Sequence, residues 1–88
     1  MQGVVERKKR YVSVVSRTND EGAITPLTIE WNDGKRYEID QILECRQAAS
    51  LKTGGRGLRF AIRIGQNRTY LYFEGPRWFV EEKVVELP

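Results

Sequence analysis

The fold is decided by the stretch Leu51-Lys-Thr-Gly-Gly-Arg-Gly-Leu-Arg-Phe-Ala-Ile-Arg-Ile-Gly-Gln-Asn-Arg-Thr-Tyr-Leu-Tyr-Phe-Glu74. It joins a basic, glycine-rich loop to two runs in which apolar and polar residues alternate. A period of two is typical of strands with one buried face. Because turn residues separate the runs at 65–68, we predict a β-hairpin. Its apolar face, which we expect in the core, consists of Leu58, Phe60, Ile62, Ile64, Leu71 and Phe73.

The predicted register of this hairpin brings basic and aromatic side chains together on the opposite face. On the apolar face, Ile64 is expected opposite Thr69, Ile62 opposite Leu71, and Phe60 opposite Phe73. On the other face, the expected pairs are Arg63 with Tyr70, Ala61 with Tyr72, and Arg59 with Glu74. A last strand from Trp78 would place Trp78 opposite Phe73, and Phe79 beside Tyr72.

A second hairpin is predicted around Asn32-Asp33-Gly34. Leu27, Ile29 and Trp31 alternate with polar residues, which indicates a half-buried strand. A two-residue loop would set these apolar residues opposite charged ones. A three-residue loop with Gly34 in the left-handed region instead pairs Ile29 with Tyr37, Leu27 with Ile39, and Glu30 with Arg36. The apolar match favours the three-residue loop.

The remaining segments complete an all-β prediction. Residues 1–8 are expected to be a flexible basic tail, and 9–86 a single β domain. Residues 41–52 fit a helix capped by Asp40 or a strand through about Arg46, and the strand-rich surroundings favour the strand. The overall expectation is a five- to six-stranded antiparallel barrel or two-layer sheet built of consecutive hairpins.

Composition limits the chemistry that the chain can perform. It has 88 residues, no histidine and the single cysteine Cys45. There is therefore no Ser-His-Asp or Cys-His arrangement and no metal-ligand spacing, so we expect no enzyme activity, no cofactor and no metal. No small-molecule substrate is evident. Cys45 is interpreted as a small core residue, since no base stands ready to activate it.

The same features predict a cytoplasmic protein. One cysteine cannot form an internal disulfide, which favours a reducing compartment. Val4-Val5 is too short to be the apolar core of a signal peptide, and no run reaches the roughly 18 apolar residues of a membrane span.

Charge is distributed unevenly along the chain. The whole sequence carries 15 basic and 12 acidic side chains, a net +3. Residues 46–77 alone hold seven basic groups against Glu74, a net +6. If this excess lies on one face, it favours an anionic partner, whereas interleaved strands would cancel it.

The candidate binding site is the basic-aromatic face of the first hairpin together with the glycine-rich loop. Basic side chains can follow a phosphate backbone while aromatic rings stack on bases, and small barrels use a sheet face in this way. We therefore predict binding of single-stranded nucleic acid. The residues predicted to carry it are Lys52, Arg56, Arg59, Arg63, Arg68, Tyr70 and Tyr72.

Two other interpretations of this face remain open from the sequence. Tyrosine and arginine are enriched at protein interfaces, so the face could instead bind another protein or a second copy of this chain. Alternatively, the N-terminal strand could cover the face, and the arginine-tyrosine pairs would then be ordinary packing. Exposure of Tyr70 and Tyr72 distinguishes a binding surface from a covered one.

Three segments together carry a family resemblance: Ile24-Thr-Pro-Leu-Thr-Ile-Glu-Trp-Asn-Asp-Gly-Lys-Arg-Tyr-Glu-Ile-Asp40, Arg46-Gln-Ala-Ala-Ser-Leu-Lys-Thr-Gly-Gly55 and Arg77-Trp-Phe-Val-Glu81. The chain resembles small uncharacterised bacterial proteins that are often encoded beside a translesion (Y-family) DNA polymerase. The resemblance covers about residues 11–81 and transfers no catalytic residue. It implies a context of DNA damage tolerance, with nucleic acid or a DNA repair polymerase as the expected partner.

Overall fold

The computed structural model describes residues 4–49 and 56–86, and it describes side chains for 8–48 and 57–82. All regular structure in these residues is β, which confirms the predicted class. The strands are β1 (Val4–Thr18), β2 (Ile24–Glu30), β3 (Arg36–Glu38), β4 (Gln41–Ala49), β5 (Arg56–Ile64), β6 (Asn67–Glu74) and β7 (Arg77–Glu86). The ambiguous segment after Asp40 is therefore a strand as far as it is described.

The strands form one antiparallel sheet in the order β3-β2-β1-β7-β6-β5-β4. The long strand β1 joins its two halves, because residues 4–12 pair with β7 and residues 13–18 pair with β2. The edge strands β3 and β4 are consecutive in the chain. Between them, Ile39 donates a backbone hydrogen bond to Leu27, and Asp40 donates one to Arg63. The sheet therefore curls into a half-barrel.

The described parts of the chain form seven strands where five or six were predicted. The difference arises at 39–40, where the chain bends and its pairing partner changes from β2 to β5. The segment on either side of the bend therefore forms two strands, β3 and β4. The N-terminus differs as well. Residues 4–8 form the start of β1, where a flexible tail was predicted, and Lys8 and Lys9 lie opposite Glu82 and Glu81 of β7. Opposite charges on facing strands favour this pairing.

The core lies on the concave side of the curled sheet. Ile29 of β2 packs against side chains from the other half of the sheet, namely Phe60, Ile62, Leu71 and Trp78. The predicted apolar face is confirmed, because Phe60, Ile62 and Leu71 are buried while Leu58, Ile64 and Phe73 are partly buried against them.

Two of the three predicted hairpin registers are confirmed. Ile29 lies opposite Tyr37 and Glu30 opposite Arg36, with Gly34 at a φ of 87°. Phe73 lies opposite Trp78 and Tyr72 opposite Phe79.

The predicted β5–β6 register is wrong by two residues. Ile64 lies opposite Asn67, so the loop is the two-residue Gly65-Gln66. Gly65 has a φ of 60°, which the first loop position of a tight hairpin turn requires. A shift of two preserves both faces, because side chains alternate with a period of two.

Two bulges alter the predicted burial. Leu27 has no partner on β1, since the pairing passes from Val15–Thr28 to Ser16–Pro26, and Leu27 is 44% exposed. The prediction that Leu27 lies on the buried face is wrong. In β4 the pairing likewise skips Leu43.

The interpretation of Cys45 as a core residue is also wrong. Cys45 is opposite the buried Phe60, yet it is exposed because β4 is the last strand of the sheet.

Candidate nucleic-acid interface

The predicted site residues whose side chains are described share the outer, convex face of β5 and β6. The observed register places Arg59 opposite Tyr72, Ala61 opposite Tyr70, and Arg63 opposite Arg68. β1 lies beside β7 within the sheet and does not cover this face. Arg56 begins β5, but its side chain lies outside the described residues, as does the whole of Lys52.

The face contains an aromatic row that crosses three strands. Tyr11 of β1 lies opposite Phe79 of β7, which lies opposite Tyr72 of β6. The rings of Tyr72 and Phe79 stack, and Tyr11 meets Phe79 edge-on with the centroids 5.7 Å apart. Tyr11 was not predicted from the sequence as part of this face, because its place in the row depends on the long-range pairing of β1 with β7.

The hydroxyl groups of this aromatic row form hydrogen bonds with carboxylates of the same chain. Glu74 accepts a hydrogen bond from Tyr11 at 2.8 Å and pairs with Lys9 at 2.9 Å. Tyr72 donates its hydroxyl hydrogen to Glu81 at 2.9 Å. These contacts fix the positions of the Tyr11 and Tyr72 hydroxyl groups.

The pKa values of these groups reflect the same contacts. The hydrogen bond from Lys9, followed by that from Tyr11, lowers the pKa of Glu74 below its ordinary value of 4.5. The hydrogen bond to Glu74 is the main cause that raises the pKa of Lys9. Desolvation by burial, with a smaller effect of the Glu81 hydrogen bond, raises the pKa of Tyr72. These hydrogen bonds thus favour the charged forms of Lys9 and Glu74 and the protonated form of Tyr72.

Tyr70 lies outside this row and borders a groove. It is 46% exposed, and the small residue Ala61 lies directly opposite. On the far side of Ala61, the β4 bulge exposes Leu43 to 41%. The groove has a volume of about 470 Å³ and is lined by Leu43, Ala61, Ile62, Arg68, Thr69 and Tyr70. We call it the Tyr70 groove.

Arg68 lines the Tyr70 groove, and Arg59 and Arg63 lie on the neighbouring strand β5. The guanidinium carbon of Arg59 lies 4.6 Å from the centroid of the Tyr70 ring, a cation–π contact. Arg63 donates a hydrogen bond to the Gly65 carbonyl at 2.7 Å, and Arg68 is exposed directly opposite Arg63.

Carboxylates offset only part of this charge. Glu44 lies 4.0 Å from Arg59, and Asp40 lies 3.9 Å from Arg63. Arg68 has no ion pair within 8–48 and 57–82. The groove therefore combines an exposed aromatic ring with a local excess of positive charge.

Potential metal ligands and the single thiol have defined positions relative to this surface. Within the described residues, no group of three or more His, Cys, Asp or Glu side chains is placed to hold a metal ion. Cys45 is exposed, but desolvation raises the pKa of its thiol, which favours the less nucleophilic protonated form. The surface around the groove displays the exposed side chains of Tyr70, Leu43 and Arg68.

No family model, curated protein or solved structure matches this chain. Across the described ranges, no helix is both long enough and apolar enough to cross a membrane.

Proposed function

We propose that this protein binds single-stranded nucleic acid, with an unstacked base in the Tyr70 groove and phosphates near Arg63 and Arg68. The observation that carries the proposal is the exposure of Tyr70 beside three arginines and the small, apolar Ala61. Stacking on an aromatic ring contributes about 1–3 kcal/mol per base and tolerates any base. The protein would then act without catalysis, as a small binding module.

The preference for single strands follows from the groove. A base inside a duplex is already stacked on its neighbours, so it cannot lie against Tyr70 and Leu43 without leaving the helix. The side chain of Ala61, directly opposite Tyr70, has no hydrogen-bonding group with which to read a base edge, and stacking on an aromatic ring tolerates any base. We therefore expect affinity for single strands with little sequence preference.

An amide NMR titration with a short single-stranded oligonucleotide at two salt concentrations tests the proposal. We expect shifts on residues 58–72. If Lys52, Arg56, Arg59, Arg63 and Arg68 all contact phosphates, log affinity should fall with log salt at a slope of about −3.5, taking roughly 0.7 per phosphate. An absence of shifts on these residues at low salt would overturn the proposal.

A matched pair of variants separates stacking from general electrostatics. Tyr70→Ala removes the ring from the groove, and we expect a loss of about 10-fold or more in affinity, because about 1.4 kcal/mol corresponds to a factor of ten. Tyr37→Ala is the control, since Tyr37 is similarly exposed (40%) but lies on β3, away from the groove. Equal effects of the two substitutions would argue against a specific groove.

A protein partner is the second candidate, and the neighbouring exposure of Leu43 and Tyr70 favours it. Exposed apolar side chains beside arginines fit the composition of protein interfaces as well. A second copy of the chain using this face would be one such partner. Self-association that Tyr70→Ala abolishes, together with no response to oligonucleotide, would support this candidate over the first.

A further inference from the structure

β4 presents a long free edge. It runs for nine residues, Gln41–Ala49, and among the described strands it pairs only with β5. The other edge strand, β3, has only three residues, which is a common way of protecting an edge. β4 has no proline to block pairing, and its bulge at Leu43 lies near its start. An edge of this length is a template for a further strand.

The hydrogen-bonding pattern shows which residues of β4 have backbone N–H and C=O groups that point outward from this edge. In a hairpin with a two-residue loop, the flanking pair exchanges both of its hydrogen bonds, and here that pair is Ile64–Asn67. The direction of the backbone hydrogen bonds alternates along β5. The N–H and C=O groups of Ile62 and Phe60 therefore point toward β6, and those of Ala61 and Arg59 point toward β4. Cys45 lies opposite Phe60, so its N–H and C=O point to the free edge.

The sequence of β4 is complementary to itself in one antiparallel register. If two copies pair about a twofold axis at Cys45, residue 44 lies opposite residue 46 of the second copy. Glu44 then faces Arg46 across the axis, and the reverse pair forms on the other side. Opposite charges directly across strands stabilise a sheet, and like charges destabilise it.

We propose that this protein forms a homodimer in which β4 pairs antiparallel with β4 of a second copy, with Cys45 opposite Cys45 at the twofold axis. The twofold arrangement uses the same patch on both copies. Within one chain, Glu44 already pairs with Arg46 at 3.0 Å, and these side chains are 43% and 63% exposed. Dimerisation would turn two separate ion pairs into a square of alternating charges.

The dimer should be weak and dependent on concentration. A nine-residue strand is about 30 Å long, at roughly 3.4 Å per residue. Stable interfaces of standard size bury roughly 1,200 Å² or more, and we expect a single pair of strands to bury less. The inference does not rest on nucleic-acid binding, since it needs only the backbone edge of β4 and the Glu44–Arg46 charges, although Leu43 of the same strand also lines the Tyr70 groove.

A charge-swap series measured by sedimentation equilibrium of the full chain tests the register. The wild type should show a mass that rises toward twice 10.2 kDa with concentration. Glu44→Arg should weaken association at least 5-fold, because it sets arginines opposite one another across the axis. The double substitution Glu44→Arg/Arg46→Glu should restore association, since each arginine again faces a glutamate. A wild type that stays monomeric, or a double variant that is no better than Glu44→Arg, would overturn the proposal.

Cross-linking through Cys45 provides an independent readout. A short bifunctional maleimide should join wild-type chains into dimers at concentrations where sedimentation shows association, and Cys45→Ser should abolish the product. Tyr70→Ala is the control for dimerisation through the outer face, and it should leave the yield unchanged. A yield lost in Tyr70→Ala but kept in Glu44→Arg would assign the interface to the face and refute the edge.

Discussion

Tyr72 and Phe79 stack across β6 and β7 with their ring centroids 4.8 Å apart and their planes within 3° of parallel. Both rings lie on the outer face of the sheet, yet Phe79 is only 7% exposed. Tyr11 covers one side of Phe79, and the ammonium of Lys9 lies 4.8 Å from its centroid. The half-barrel therefore has a second, smaller apolar cluster on the side opposite the core.

This outer cluster should contribute measurably to stability. Phe79→Ala is expected to lower the free energy of unfolding by about 3 kcal/mol, the cost typical of deleting a buried phenyl ring. The measurement is urea denaturation followed by tryptophan fluorescence. Tyr37→Ala is the control, because Tyr37 is 40% exposed, and its effect should stay under about 1 kcal/mol. Similar losses for the two variants would contradict the outer cluster.

The β2 bulge leads to a paired prediction for two leucines. Leu71 is fully buried at 0% exposure, whereas Leu27 is 44% exposed. Leu71→Ala should therefore cost about 2–5 kcal/mol, and Leu27→Ala less than about 1 kcal/mol. Chemical denaturation of both variants measures the difference. A Leu27→Ala loss as large as that of Leu71→Ala would show that Leu27 packs inside.

Stability should fall at acidic pH through Glu74. Its pKa is below 4.5 in the folded protein, so between the folded value and 4.5 the unfolded chain binds more protons. The contribution of Glu74 is present above pH 4.5 and is lost as the pH falls through the folded pKa. Urea midpoints at pH 7 and pH 3 should differ less for Glu74→Gln than for the wild type.

A direct NMR titration of the Glu74 carboxyl carbon checks the cause of this shift. Lys9→Gln removes the main partner, so it should move the titration midpoint upward toward 4.5. A wild-type midpoint at or above 4.5 would contradict the predicted dependence on pH.

The turn between β2 and β3 should depend on the backbone conformation of Gly34. Its φ is 87°, and an added Cβ would meet no atom within 4 Å. Gly34→Ala should therefore destabilise through backbone strain alone, by about 1 kcal/mol. Gly34→Asn should cost less, because asparagine tolerates the left-handed region better. Thermal melts of the two variants measure the order, and equal melting temperatures would refute the explanation by strain.

Salt dependence tests the role of Arg68 in the proposed function. Arg68→Ala should reduce the salt slope of oligonucleotide binding by about 0.7 if this residue contacts one phosphate. Arg36→Ala is the matched control, since Arg36 lies on β3 and pairs with Glu30 at 3.4 Å. Fluorescence anisotropy at several salt concentrations gives both slopes. An unchanged slope for Arg68→Ala would exclude it from the phosphate contacts.

Local pattern predicted much of the hairpin structure. The register of β2 with β3 followed from matching Ile29 to Tyr37 across a turn that needs Gly34, and both determinants lie within a few residues. The β5–β6 register was predicted wrongly because two tight turns whose positions differ by one residue place the same side chains on each face of the hairpin. The conformation of Gly65 selects between them, and alternation alone does not.

The candidate site was predicted in part. The sequence correctly grouped Arg59, Arg63, Arg68, Tyr70 and Tyr72 on one face, since alternation along a strand is a local property. It did not separate Tyr70, which borders an open groove, from Tyr72, which is held by Phe79 and Glu81. That division depends on the pairing of β1 with β7. This pairing brings Tyr11 opposite Phe79 although the two residues are far apart in the sequence.

The β class, the apolar face and the basic-aromatic face were predictable from the sequence, because a period of two and turn chemistry act over a few residues. The features that depend on long-range strand pairing became visible only in the folded sheet. The tertiary structure joined β1 to β7, exposed Leu27 at a bulge, and placed Cys45 on β4, the last strand of the described sheet. These outcomes depend on the summed packing and hydrogen bonding of the whole sheet, which local alternation does not encode.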